Sequence, residues 1–169
     1  GGDLSSVETR AEMHGDAIVI NGSKRWCTGA DWADYIYCLV RSGDPAARHA
    51  NLSLLLIPTD TPGISMQAIQ HNNLRYTASM DVSFDNVTVG PDAIVGGRDM
   101  WNKGWQQLSG RALDVEKIEI TACAYGFARA AVEEAWQYAR EREQFGKPIA
   151  SHQAVRHKLV TAKTKLQAA

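Results

Sequence analysis

Hydrophobic and polar positions in the first hundred residues repeat at short intervals. Ala17-Ile18-Val19-Ile20 is a short apolar run, and Asn21-Gly22 behind it suits a tight hairpin turn, with Ser23 to Thr28 as the returning strand. Tyr35-Ile36-Tyr37-Cys38-Leu39-Val40 is rich in aromatic and β-branched residues and ends at the turn cluster Ser42-Gly43-Asp44-Pro45. Leu52 to Ile57 is nearly all apolar and stops at Pro58, and Thr61-Pro62-Gly63 marks another turn. Met80, Val82 and Phe84 alternate with Asp81, Ser83 and Asp85, the period-two signature of a half-buried strand that Val87 and Val89 extend. So many short strands with no helical period between them predict an antiparallel sandwich or barrel over about residues 5–98.

Past residue 100 the period changes. Ile118, Ala122, Tyr125, Ala128, Val132, Ala135 and Ala139 recur at steps of three and four, and Val155, Leu159, Ala162 and Leu166 repeat the pattern. Phe145-Gly146-Lys147-Pro148 reads as a helix stop, and Ser151 as the N-cap of the next helix. The expectation is a helix from about 102 to 142 with an irregularity near Asp114, then a second helix from Ser151 onward. Two antiparallel helices cannot bury both of their apolar faces. The pattern therefore predicts an α+β fragment, cut inside a helical domain whose other helices complete the core.

Composition sharpens this picture. The 169 residues are 44% hydrophobic and 22% charged, enough for a packed core, and the formal net charge is −1. That near-neutral balance argues against nucleic-acid binding driven by bulk charge. Residues 1–100 carry 7 Lys and Arg against 12 Asp and Glu, and residues 101–169 carry 11 against 7. The shift suggests two parts, 1–100 and 101–169. Cys27, Cys38 and Cys123 form no CxxC, and their odd number fits a reducing compartment. No apolar run approaches the ~20 residues of a membrane span, and the start has no basic and apolar leader.

Chemistry-bearing residues are few. Nucleotide-binding glycine loops, a zinc HExxH and a GxSxG elbow are all lacking, and the five histidines have no metal-ligand spacing. Trp26 lies two residues before Thr28 on a strand, so the two side chains share a face; an indole can wall a flat ring while a hydroxyl bonds its heteroatoms. A core Trp on a sheet would show the same spacing. Leu113-Asp114-Val115-Glu116-Lys117 puts two carboxylates and a Lys in one helical turn, which suits either a desolvated base or a solvated face. Arg142, at a charged helix end, either complements the macrodipole or holds a phosphate.

Six segments occur in the order and spacing of the acyl-CoA dehydrogenases: Gly2-Asp3-Leu4, Asn21 to Thr28, Asp60 to Gly63, Phe84 to Val87, Leu113 to Lys117 and Arg142 to Ile149. The chain resembles that family's middle β-domain (1–100) plus the first helices of its C-terminal bundle (101–169), a piece of an α-β-α architecture. The resemblance implies FAD-dependent oxidation of the α,β bond of an acyl-CoA thioester. A carboxylate takes the α-proton, and the β-hydrogen leaves as hydride to flavin N5. It implies flavin contacts at Trp26, Cys27 and Thr28. Arg142, Gln144, Phe145 and Gln153 would hold the FAD of a neighbouring subunit in a homotetramer built as a dimer of dimers. Gly2, Arg75, Gln107, Asp114 and Lys117 fall on the acyl-CoA side, Gly2 where many members have Ser. Arg25 and Cys27 replace residues more often apolar, and Arg75 to Ser79 departs from the usual pattern.

Glu116 matches the position of the base in the isovaleryl and long-chain branches; other members carry it in a later segment. An electron-transfer flavoprotein is the implied acceptor, in the cytoplasm of a bacterium or the mitochondrial matrix of a eukaryote. Acyl-CoA oxidases and flavin monooxygenases of the same fold are the alternative, as is an inactive fragment that binds no flavin.

Overall fold

The computed structural model describes residues 3–72 and 77–169. The chain divides into two compact units, one reaching to Gly110 and the other running Arg111–Ala169. The first is built on six strands: β1 (Arg10–His14), β2 (Ala17–Thr28), β3 (Tyr35–Arg41), β4 (Leu52–Pro58), β5 (Ile64–Ile69) and β6 (Ser79–Val89). They lie in the order β4-β3-β1-β2-β6-β5. All neighbours are antiparallel except β1 and β3, which meet in parallel through Arg10 and Arg41.

The sheet does not close, so the barrel alternative is not realised. The outer edge of β4 is occupied instead by the segment that follows β6: Leu55 bridges Ile94, Leu52 bridges Lys103, and the Val95 amide donates to the Leu54 carbonyl at 3.0 Å. A covered edge of this kind satisfies the backbone without bringing β5 round to meet it.

Period-two alternation fills the core. Ile18 and Ile20 of β2, Ile36, Cys38 and Val40 of β3, Leu55 and Ile57 of β4 and Val82 and Phe84 of β6 belong to one buried cluster. Burial of each large aliphatic side chain is worth about 1.5–3 kcal/mol. The nearly unbroken apolar run of β4 has its own explanation. Leu52 and Leu54 face a second cluster that includes Trp105 and Leu108, so β4 is covered on both sides.

The hairpin lies elsewhere than the sequence predicts. Gly15-Asp16 makes the turn between β1 and β2, with His14 paired to Ala17, whereas Asn21-Gly22 lies inside β2 at a register shift between Ile20 and Gly22. Gly22 is required there for two reasons. Its φ of +129° is close to glycine-only, and a Cβ would sit 2.8 Å from the Thr9 Cα.

Lys24 is buried against this sheet and donates from Nζ to the Leu39 carbonyl of β3 at 2.6 Å. Burial pushes its ammonium pKa below the usual lysine value. The same desolvation raises the Cys27 thiol and lifts Cys38 to about 11, so both thiols stay protonated.

The second unit follows a short helix α1 (Gly104–Leu108) of the first. The helix expected from about 102 to 142 has its irregularity at Ser109-Gly110, not near Asp114, because glycine favours a break over a helix interior. Helix α2 (Arg111–Glu141) then spans 31 residues. A two-residue hairpin follows, β7 (Glu143–Gln144) paired with β8 (Lys147–Pro148). Phe145 and Gly146 form its turn with φ of 55° and 73°, the left-handed pair that a type I′ turn demands.

Helix α3 (Gln153–Ala168) starts two residues after Ser151, which is therefore not its N-cap. His152 holds that place without a side-chain hydrogen bond, and Ser151 sits in the preceding turn, its carbonyl accepting from Arg156 Nη2 at 3.1 Å. Between α2 and α3 runs an open groove lined by Ile118, Ala122, Tyr125, Val132 and Leu166. Ile120, Phe127 and Tyr138 of α2 are also exposed. A helix apolar on several faces belongs inside a larger bundle.

Two outcomes follow from this packing. Gly22→Ala lowers the unfolding free energy by more than Gly15→Ala, for which the ~1–2 kcal/mol left-handed penalty is the main cost because no atom lies within 4 Å of the added Cβ. Equal losses in denaturant unfolding would contradict the close approach at Gly22. Folded Lys24 holds its proton less tightly than unfolded lysine at 10.5, so folding releases a proton below that value. The stability of the wild type relative to Lys24→Met therefore rises as pH climbs toward 10.5, and a flat or falling difference in denaturant midpoints would contradict it.

Candidate active site

The candidate residues of the first unit gather at the end of β2. Lys24 pairs with Val82 of β6, but the next pair is Cys27 with Met80, so β2 carries one residue more than β6 across this interval. This β-bulge places Trp26 at φ +63°, a conformation seldom adopted by a bulky side chain. The indole is 58% exposed. The Arg25 guanidinium lies 5.4 Å from the ring centroid and 3.6 Å from Asp81 of β6. Cys27 turns inward and packs against the core, so the backbone is its means of meeting a ligand. Thr28 is exposed beyond it, and the strand ends at Gly29, whose amide donates to the Ala78 carbonyl at 2.9 Å.

Trp26 and Thr28 are thus both presented to the outside, as their spacing implies, through a bulge that the spacing does not reveal. Sequence reasoning missed the residue behind Thr28. Ser79, on β6, is its cross-strand neighbour, and the two hydroxyls lie 2.9 Å apart.

Gln107 stands apart from these residues. Its Nε2 donates to the Val95 carbonyl at 2.7 Å, and its buried Oε1 has no hydrogen-bond partner among the described residues. Gly2 and Arg75 lie outside the described residues.

The second unit holds two groups. At the start of α2, Lys117 Nζ reaches Asp114 Oδ1 at 3.6 Å. Glu116 is exposed and takes part in no ion pair or hydrogen bond among the described residues; the neighbouring lysine is engaged by Asp114 instead. The opposite end of α2 carries the other group. Arg142, Gln144, Phe145 and Gln153 all occur around the small hairpin and the start of α3, and all are exposed. Phe145 is 92% exposed at the hairpin tip, with the His152 ring edge-on at 5.9 Å. From Glu116 to the helix end at Glu141 the axis runs about 37 Å.

Together these residues offer an aromatic face with a neighbouring hydroxyl, an unengaged carboxylate, and an arginine grouped with amides and an exposed ring. The first suits a flat heteroaromatic ring, the second proton abstraction, and the third an anionic group. Among the described residues no cluster of His, Cys, Asp or Glu could hold a metal, and no helix is long and apolar enough to cross a membrane.

The middle-domain model of the acyl-CoA dehydrogenases matches residues 1–87, and their C-terminal-domain model matches residues 102–169. Acyl-CoA dehydrogenase AFT10-1 of Alternaria alternata is 36% identical over 159 residues, which are 94% of this chain and 35% of that protein. The probable acyl-CoA dehydrogenase YngJ of Bacillus subtilis is 34% identical over 94% of this chain and 41% of its own length. The chain therefore spans well under half the length of these relatives. A crystal structure of a probable acyl-CoA dehydrogenase from Mycobacterium abscessus superposes with a TM-score of 0.91 at 32% identity, covering 99% of this chain and 43% of that one. Glutaryl-CoA dehydrogenase, solved with glutaryl-CoA, superposes at 0.90 with 28% identity, over 99% of this chain and 42% of its own. With both family models matched along the chain and relatives of this likeness, the chain belongs to the acyl-CoA dehydrogenase family.

Proposed function

We propose that the intact protein oxidises the α,β bond of an acyl-CoA thioester, with FAD as cofactor and Glu116 as base. Trp26 and Thr28 fit the cofactor by their chemistry, one giving a ring face to lie on and the other a hydroxyl for a ring heteroatom. When bound, the flavin supplies the two-electron oxidant that accepts the β-hydrogen. The protein's own part is placement and proton removal. Glu116 takes the proton from the carbon next to the thioester carbonyl, and the carbonyl makes that proton acidic enough to remove.

The observation that carries this reading is the arrangement at the start of α2. Lys117 pairs with Asp114, which leaves Glu116 unengaged. The length of α2 supports the second half of the proposal. Residues at opposite ends of a 31-residue helix do not converge on one reacting carbon. By the family resemblance, Arg142, Gln144, Phe145 and Gln153 are assigned to the cofactor of a neighbouring subunit, in a tetramer built as a dimer of dimers, and the helix length is compatible with that separate role. Acyl-CoA contacts are proposed at Gly2, Arg75, Gln107, Asp114 and Lys117, and an electron-transfer flavoprotein as the acceptor of electrons.

Glu116→Gln keeps the shape and removes the base. Reduction of bound flavin by acyl-CoA, followed as bleaching of its visible absorbance, slows by about 10³-fold, within the range of a positioned acid–base group. FAD content and substrate affinity stay near the wild-type values, because the loss is confined to the transition state. A variant that bleaches almost as fast as the wild type would assign the base to another residue.

A further inference from the structure

The hydroxyl pair at the end of β2 has a direction, and that direction points to a role for Ser79. Ser79 is 8% exposed and Thr28 is exposed, with their oxygens 2.9 Å apart across the β2–β6 ladder. Geometry alone lets either oxygen donate. Burial decides between them. A serine hydroxyl carries a single hydrogen, and leaving it unpaired in the interior costs the full desolvation of that group. Among the described residues, the oxygen that meets the Ser79 hydroxyl is that of Thr28. Ser79 must therefore donate to Thr28. The Thr28 oxygen is then occupied as an acceptor, and its own hydrogen is left for a ligand at this exposed strand end, where the Trp26 indole is exposed as well.

We propose that Ser79 is a positioning residue: by donating to Thr28 it fixes the Thr28 hydroxyl as a donor toward a ring heteroatom of the bound flavin. This rests on the assignment of Trp26 and Thr28 to the flavin. An acceptor in the ligand meets a hydroxyl already oriented and polarised by the bond behind it. The backbone maintains the alignment. Ser79 is paired with Thr28 of β2 and with Ile69 of β5, so its backbone is held on both sides and fixes the point from which its hydroxyl donates.

The test is a double-mutant cycle in the intact protein, read by the dissociation constant of FAD and by the position of the flavin's visible absorption band. Ser79→Ala frees the Thr28 hydroxyl to rotate, and weakens FAD binding by about three- to tenfold, the worth of one hydrogen bond. Thr28→Val weakens it by a similar factor. The two together do no more than Thr28→Val alone, since Ser79 acts through Thr28. Ser79→Thr keeps a hydroxyl and restores binding. Ser79→Ala also shifts the absorption band, which a purely structural serine would not do. If Ser79→Ala weakens binding equally with and without the Thr28 hydroxyl, or if Ser79→Thr fails to restore it, the proposal is overturned while the flavin assignment stands. A wild-type protein that binds no FAD would overturn both.

Discussion

The extra residue in β2 is the constraint on which the candidate residues of the first unit depend. Without it, Lys24 and Cys27 could not both face inward, because an ordinary strand sends positions three apart to opposite faces. Lys24 is tied to the Leu39 carbonyl, and Cys27 packs on the core. The strand satisfies both only by accommodating one additional residue against β6, and the strain falls on Trp26 at positive φ. A bulky residue held in this conformation is expected where function uses it and the surroundings enforce it. Here the enforcement is visible. Inward anchors stand on either side of the bulge, Arg25 lies over the indole and near Asp81, and the Thr28–Ser79 bond closes the far end.

The candidate residues of the second unit are governed by length. Helix α2 separates Glu116 from the hairpin corner that carries Arg142, Gln144 and Phe145 by most of its 31 residues. Each group is locally complete. The Asp114–Lys117 pair leaves Glu116 free of its neighbouring cation, and the type I′ turn projects Phe145 outward. A helix this long and this apolar on several sides costs free energy when uncovered. The open groove between α2 and α3 leaves part of this apolar surface uncovered.

Much of this was legible in the sequence because burial imposes periods. Alternation in Met80 to Phe84 located β6, and steps of three and four located α2 and α3. What the sequence could not supply was register. Asn21-Gly22 has the composition of a hairpin turn, yet it lies in a strand, because Gly22 is needed where Thr9 approaches and the actual turn falls at Gly15-Asp16. Ser151 has the composition of a cap, but the chain needs a further turn after the hairpin before α3 can begin. Ser79 was invisible for the same reason. Its partner is fifty-one positions away, and only the β2–β6 ladder brings the two hydroxyls together. Trp26 and Thr28 can be paired as candidates from the sequence because their own spacing is local, whereas the bulge that presents them depends on the register of β6 opposite.

The central claim is that the bulge aims Trp26 and Thr28 at a flavin. Deleting Arg25 removes the additional residue and lets β2 pair with β6 without the bulge between Lys24 and Cys27. The measurement is the dissociation constant of FAD for the deleted and wild-type apoproteins, with circular dichroism confirming that both are folded. The account predicts a folded variant whose FAD affinity is at least about tenfold weaker, because a bulge re-aims the side chains it carries. A folded variant that binds FAD as tightly as the wild type would contradict it.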